Sequence, residues 1–180
     1  MTVPLLGAGK GVDVVPSSLL TGLMAYWKLD EASGTRNDSH GSNHLTDNNT
    51  VTQQTGIVGN AAQFTRANTE YLNIADNADL STGDIDFSLS CWIYMDQVGG
   101  NFMDIINKAQ GVEYRLFYNA SNRLVWVVNT STLAADLFGT PSTATWYHVV
   151  CTYNAATDVM TIRVNDGAVN SRASVTGPVD

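Results

Sequence analysis

The sequence predicts an all-β protein, and three observations lead to this fold class. Two segments alternate apolar and polar or aromatic residues with a period of two, which is typical of half-buried strands. Charged residues make up only 14% of the 180 residues, and Thr, Asn, Ser and Gly are abundant, as in short strands joined by many turns. No segment sustains a helical period. The length suits one domain that buries roughly 70% of its unfolded surface.

The clearest predicted strand lies within Gly83–Met95. From Asp86 onward, apolar residues alternate with a second set that ends in Trp92 and Tyr94. This pattern predicts a central strand whose apolar face meets the core, with Trp92 and Tyr94 on the opposite surface. Thr145–Asn154 has the same pattern, and we expect the two strands to be neighbours in one sheet.

The chain before the central strand is less regular. Met1–Thr21 is predicted to be an arm or linker, because Gly and Pro interrupt its apolar residues. Leu23–Leu29 is the first predicted strand, and Asp30–Gln54 is a polar stretch that we expect to be mostly loop. Ala61–Phe64 and Tyr71–Ile74 are the next predicted strands.

The chain after the central strand alternates predicted strands with turns. Ser121–Asn122 favours a tight turn, and Asp166-Gly167 favours a hairpin, because these residues tolerate positive φ. The predicted strands are Phe102–Lys108, Glu113–Asn119, Arg123–Asn129, Leu133–Phe138, Trp146–Tyr153, Val159–Asn165 and Ala168–Ser174.

The charge of the chain restricts its partners. The formal net charge is −8, and the nine basic residues are scattered singly. Nucleic-acid binding and docking on anionic lipid both need clustered basic residues, so we expect neither. No apolar run approaches the roughly 20 residues that span a bilayer, and Met1–Leu20 lacks the basic start and apolar core of a secretory signal.

The acidic residues predict no catalytic site. Glycosidases need two carboxyl groups about 5–5.5 Å apart when they retain configuration, which alternating acidic residues on one strand can supply. Glu31, Glu70 and Glu113 have no acidic partner two or four residues away on a strand. Asp84 and Asp86 have this spacing, but they precede a strand, where aspartate usually serves a turn. We therefore predict no catalytic residues.

The histidines and cysteines also have structural interpretations. His40 and His44 lie in a polar loop without the glutamate and helix of a zinc protease site. His148 lies within a predicted strand and is expected to be a structural histidine. Cys91 and Cys151 occupy similar places in the two expected neighbours, so they are either paired or two buried thiols, and the sequence favours thiols.

Five segments occur in a characteristic order: AYWKLDEASGT (Ala25–Thr35), VGNAAQF (Val58–Phe64), Tyr71–Met95, YRLFYN (Tyr114–Asn119) and WYHVVCTYN (Trp146–Asn154). This succession resembles the laminin G-like domains of the concanavalin A-like jelly-roll superfamily, in the form common in bacterial and phage proteins. The resemblance implies a jelly roll of two antiparallel sheets over residues 22–180, preceded by an extended arm over residues 1–21. Family members usually add a hairpin and a closing strand after the segment that matches Ala168–Asp180.

The resemblance also implies a structural Ca²⁺ ion near the loop after the first strand. Asp30, Asp38, Asn43 and Asp47 are the candidate ligands by position, and carboxylate and amide oxygens suit calcium. The family's ligand on the closing strand has no counterpart in this sequence. Metal binding and plain turn formation therefore both stay open for these four residues.

Aromatic residues on the predicted sheets suggest a glycan platform, because rings stack on the apolar faces of sugars. The candidates are Trp126, Trp92, Tyr94 and Tyr118, and the alternation in RLVWVV makes Trp126 the first to test. Packing within the sandwich is the alternative for each ring.

The resemblance and these residues favour a non-enzymatic function. The first hypothesis is a phage virion protein of the capsid, fibre or tail that binds glycan or a host surface and joins an oligomeric assembly through its arm. The second is a carbohydrate-binding module of a bacterial secreted or cell-surface protein, and the third is a degenerate glucanase-like enzyme. A fold does not determine a function, so the choice depends on the site.

Overall fold

The structure is a computed structural model that describes residues 20–98, 102–108, 113–173 and 175–178. The chain forms two compact units, Met1–Ala75 and Asp76–Asp180. The boundary between the units lies inside the single domain that the sequence predicts from residue 22. The predicted arm falls almost entirely outside the described residues. No helix in the described ranges is long and apolar enough to cross a membrane.

The first unit holds four short strands in two antiparallel pairs. In chain order they are β1 (Thr46–Asn48), β2 (Thr52–Thr55), β3 (Asn60–Gln63) and β4 (Tyr71–Asn73), with a 3-10 helix at Arg66–Asn68 between the last two. β1 pairs with β4, and β2 pairs with β3. β3 and β4 confirm two predicted strands, whereas β1 and β2 lie in a stretch that the sequence predicts as mostly loop.

The predicted first strand, residues 23–29, is not a strand. Only Trp27 forms a bridge there, an isolated antiparallel pair with Asp38. The backbone N–H of Tyr26 donates instead to the Asp38 carboxylate at 2.9 Å. The prediction was wrong because the hydrogen bonds of Tyr26 go to the Asp38 side chain and to the N–H of Ser39 rather than to a neighbouring strand.

The second unit holds eight strands: β5 (Phe87–Tyr94), β6 (Met103–Lys108), β7 (Tyr114–Tyr118), β8 (Leu124–Val128), β9 (Ser131–Ala134), β10 (Trp146–Asn154), β11 (Val159–Val164) and β12 (Asn170–Arg172). They form two antiparallel four-stranded sheets with the orders β12-β11-β10-β5 and β6-β7-β8-β9. This arrangement confirms the all-β, two-sheet jelly-roll class.

The pairing of β5 with β10 confirms that the two strongest predicted strands are neighbours. Their antiparallel register runs from Trp146 opposite Tyr94 to Tyr153 opposite Phe87. β5 is nevertheless the last strand in the order of its sheet, rather than a central one.

The main core of the second unit comes from alternate residues of both sheets. In β10 every second residue from Tyr147 to Tyr153 is buried. In β8 the alternate residues Leu124, Trp126 and Val128 are fully buried. A side chain joins the two sheets directly, since Trp126 Nε1 donates to the backbone oxygen of Thr152 at 3.3 Å. Phe117, Val125 and Val127 form a second buried apolar cluster on the other face of β7 and β8.

Both cysteines are free thiols on the core side of their strands. Cys91 lies opposite Val149, and Cys151 lies opposite Leu89, so the two cysteines do not face each other directly. Burial raises the pKa of both thiols, that of Cys91 to about 12. Buried protonated thiols behave as small apolar side chains, as the sequence favours.

Candidate functional site

The outward side chains of β5 and β10 form an aromatic surface on the second unit. Trp92 and Tyr94 flank the buried Ile93, and Trp146 and His148 flank the buried Tyr147. Because successive strand residues point to opposite faces, these four rings lie on the face away from the main core. We call Trp92, Tyr94, Trp146 and His148 the aromatic face.

The antiparallel register arranges the aromatic face as two cross-strand pairs. Trp92 and His148 are stacked, with ring centroids 4.9 Å apart and planes inclined by 28°. Tyr94 and Trp146 are tilted by 50° at 5.3 Å. The Trp92 side of this face is open, since Trp92 is 51% exposed while the other three rings are partly buried. Paired rings hold each other in place, so the open ring is a preorganised stacking surface.

Polar groups fix the orientation of the His148 ring. The ring Nε2 lies 2.7 Å from the hydroxyl oxygen of Ser90. The backbone N–H of His148 donates to Asn165 Oδ1 at 2.9 Å. A serine and a histidine at this distance also occur in nucleophilic catalysis, where a third group orients the base. In the described chain no carboxylate hydrogen bonds to the His148 ring. The pair therefore supplies hydrogen-bonding groups beside the open ring of Trp92.

Hydroxyl groups continue the same face beyond the rings. Ser88 lies opposite Thr152, and the Thr152 hydroxyl is 2.7 Å from that of Thr161 on β11. Residues two apart in a strand are separated by roughly 7 Å. The face thus presents two rows of rings followed by rows of hydroxyl and apolar side chains. It can stack on a flat apolar surface and hydrogen bond to polar groups around it.

The structure corrects two of the four predicted glycan-binding rings. Trp126 and Tyr118 are fully buried in the main core, so a ligand in solvent cannot reach either ring. Trp92 and Tyr94 do lie on an outward surface, and their role in binding stays a prediction. Trp146 and His148 were not predicted as their partners, although the alternation in β10 places both on the face opposite its buried residues.

The predicted calcium ligands lie in the first unit, where three of them organise a loop. Asp38 accepts the backbone N–H groups of Tyr26 and His40, both at 2.9 Å, and that of Asn43 at 3.1 Å. Burial alone would raise the pKa of Asp38, but these hydrogen bonds outweigh it and lower the pKa to about 2. Asp38 therefore acts as a charged anchor for the backbone around it.

Asp47 and Asn43 also accept hydrogen bonds from other parts of the first unit. The two Asp47 oxygens accept the N–H groups of Val51 at 2.8 Å and Gly34 at 3.0 Å, and the backbone oxygen of Asn43 accepts Trp27 Nε1 at 2.6 Å. Asp30 is exposed. No group of three or more His, Cys, Asp or Glu side chains within the described ranges is placed to hold a metal. The Asp38 and Asp47 carboxylates thus have turn-forming contacts, and calcium binding by the four residues stays a prediction.

Thermal melts with EDTA and with millimolar Ca²⁺ test the calcium prediction directly. A ligand that binds only the folded state at a hundredfold excess over its Kd would add about 2.7 kcal/mol, or several degrees in Tm. The hydrogen bonds of Asp38 and Asp47 lead us to expect equal melting temperatures. A Tm that rises with Ca²⁺ in the native chain but not in Asp30→Asn would instead support a calcium site in this loop.

Asp84, which precedes β5, lines a polar cleft that the sequence did not reveal. Tyr153 donates its hydroxyl to Asp84 at 2.8 Å, and Asp158 Oδ1 lies 3.4 Å from the same oxygen. The cleft has a volume of about 480 Å³, and Gly177 packs so closely on Asp84 that a Cβ at that position would clash. Asp86 caps the turn after β10 by accepting the N–H of Ala155 at 2.8 Å. Asp84 thus makes a contact with a distant side chain, and Asp86 serves the turn after β10 rather than the turn before β5 that the sequence predicts.

Comparison with protein families identifies the fold family. A laminin G family model, described as the concanavalin A-like lectin/glucanases superfamily, matches residues 66–180. Neither the search of curated proteins nor that of solved structures gave a match. The matched segment covers more than half of the chain and includes both four-stranded sheets. The chain belongs to the concanavalin A-like lectin/glucanase superfamily, as a laminin G-like domain.

Proposed function

We propose that this protein is a non-enzymatic glycan-binding module and that the aromatic face is its binding surface. The half-exposed ring of Trp92, stacked on His148 beside the Ser90 hydroxyl, carries the proposal. Sugar rings have an apolar C–H face that stacks on an aromatic ring and a rim of hydroxyls that form hydrogen bonds. The aromatic face offers both kinds of contact within one surface.

Family membership supports a binding role. Laminin G-like domains are typically non-enzymatic binding modules. The third hypothesis, a glucanase-like enzyme, would need two carboxylates that flank a sugar linkage. The outward positions of β5, β10 and β11 carry no Asp or Glu, so the aromatic face has no such pair.

Two biological settings suit this module. The first is the surface of a phage particle, where the domain would attach to host glycan and its N-terminal arm would join neighbouring subunits. The second is a bacterial secreted or cell-surface protein, where it would bind carbohydrate for other domains. The genes next to this one would separate them, since capsid or tail genes favour the first setting and a signal peptide or catalytic domain in the full gene favours the second.

Trp92→Ala is expected to weaken glycan binding at least about tenfold, which corresponds to roughly 1.4 kcal/mol of lost stacking. Retardation of the native protein in gels that contain polysaccharides gives the affinity. Phe102→Ala is the matched control, because Phe102 is 63% exposed but lies beside the other sheet of this unit. It should bind as the native chain does.

The same polysaccharides are incubated with the protein and assayed for new reducing ends. We expect none. A native chain that no polysaccharide retards, or a Trp92→Ala variant that binds normally, would contradict the proposed function. Release of reducing ends that Glu113→Gln abolishes would show an enzyme instead.

A further inference from the structure

We infer that the aromatic face binds an uncharged glycan of at least two sugar units that lies across both ring pairs. The inference rests on the proposed function and specifies the chemical class and minimum length of the ligand. Two properties of the face support it: the absence of carboxylates at the outward positions of its strands and the distance between the two ring pairs.

The charge of the ligand follows from the outward side chains of the sheet. Within β5, β10 and β11 these positions hold Ser88, Ser90, Trp92, Tyr94, Trp146, His148, Val150, Thr152, Asn154, Val159, Thr161 and Arg163. The set contains no carboxylate that could bind an amino sugar. Its only permanent cation is Arg163, and that side chain is already engaged.

Arg163 makes two contacts with the turn that follows β11. Its Nε donates to the backbone oxygen of Gly167 at 3.0 Å, and its guanidinium forms an ion pair with Asp166 at 3.3 Å. These contacts hold Arg163 at that turn, and it lies opposite Val150 rather than opposite a ring, so a uronate or sulfate on the rings meets no permanent cation among these positions. The net charge of −8 further opposes an anionic polysaccharide. An uncharged glycan meets neither obstacle.

The length of the ligand follows from the spacing of the rings. Trp92 and Tyr94 are two residues apart on β5, so their ring pairs are separated by roughly 7 Å along the strand. One pyranose ring covers one aromatic ring, and a monosaccharide therefore contacts only one pair. A ligand that uses both pairs needs two or more linked sugars.

The hydroxyl groups beyond the rings suit a longer chain of the same class. Ser90 adjoins the first ring pair, which includes the polar ring of His148, and Thr152 and Thr161 lie further along the sheet. The serine and threonine hydroxyls can donate or accept hydrogen bonds without carrying a formal charge. They match the hydroxyls of a neutral sugar that extends along β5 and β10 from the rings.

Calorimetric titration of the native chain tests both parts of the inference. The neutral probes are cellohexaose, laminarihexaose, mannohexaose and the N-acetylglucosamine hexamer, and the charged probes are hexamers of hyaluronan, heparin and chitosan. At least one neutral hexamer should bind more tightly than every charged one. Its affinity should change less than about twofold when salt is raised to roughly 1 M, because screening does not weaken contacts with an uncharged ligand.

The length is tested with the monosaccharide of the best neutral hexamer and with Tyr94→Ala. The monosaccharide should bind at least about tenfold more weakly than the hexamer. Tyr94→Ala should weaken hexamer binding and leave monosaccharide binding at Trp92 unchanged, while Phe102→Ala should change neither. Equal affinity for monosaccharide and hexamer would overturn the minimum length.

The outcomes distinguish this inference from the proposed function. If a charged hexamer binds best and Trp92→Ala abolishes that binding, the uncharged class is wrong but the aromatic face is still a glycan-binding surface. If no probe binds, both the inference and the proposed function are wrong. Neutral binding that survives Trp92→Ala would place the glycan elsewhere and overturn the inference.

Discussion

Trp126→Ala is expected to lower the free energy of unfolding by about 3–5 kcal/mol, the usual loss for a large buried aromatic side chain. Trp126 is fully buried on β8, and its ring contacts Phe87 on the facing sheet and Tyr114 on β7. Its Nε1 also donates to the backbone of Thr152 across the core. Alanine removes the ring contacts and the hydrogen bond together and leaves a cavity between the two sheets.

Urea unfolding followed by circular dichroism measures this loss, and Trp92→Ala is the control on the outward face. A domain of this size has only about 5–15 kcal/mol of stability, so Trp126→Ala should shift the midpoint strongly and Trp92→Ala only slightly. Trp126→Phe should retain most of the stability, because it keeps an aromatic ring in the core and loses only part of the ring and the indole hydrogen bond. Equal midpoints for the two alanine variants would show that Trp126 does not join the sheets.

The period of two in the sequence was enough to predict the fold class and the pairing of β5 with β10. In both strands one set of alternate residues is plainly apolar, and a strand with one buried face requires this alternation. Residues 23–29 have a similar composition but form no strand: Trp27 alone is in a bridge, and the Asp38 carboxylate accepts the N–H of Tyr26. A contact between residues 12 apart in the chain leaves no local signal in the sequence.

The outward position of a ring could be predicted from the sequence only where one face of the strand was polar. Trp92 lies between the apolar residues Cys91 and Ile93 and shares its face of the strand with serines, so its outward position could be predicted. In β8 every residue from Leu124 to Val128 is buried, so the alternation around Trp126 could not show which face meets solvent. His148 became part of the aromatic face only through the register that places it opposite Trp92, and one strand alone does not specify a register.

Asp38→Asn is expected to destabilise the chain by on the order of 2 kcal/mol at neutral pH, and the loss should disappear in acid. Asp38 is only 6% exposed, and its carboxylate accepts three backbone N–H groups, which lower its pKa from 3.8 to about 2. A carboxyl group whose pKa is lowered by folding stabilises the folded state at pH values above its unfolded pKa. That contribution is lost as the pH falls from about 4 to about 2.

Urea midpoints of the native chain and Asp38→Asn, measured at several pH values from 7 to 2, test this linkage. The difference between the two proteins should be constant above pH of about 5 and should shrink toward pH 2, because the native carboxyl group then becomes protonated and neutral like the amide. Asp30→Asn is the control, since Asp30 is an exposed carboxylate of the same unit, and its midpoints should follow those of the native chain at every pH. A difference between native and Asp38→Asn that persists unchanged at pH 2 would mean that the asparagine acts through its shape, and that the charge of Asp38 does not hold this loop together.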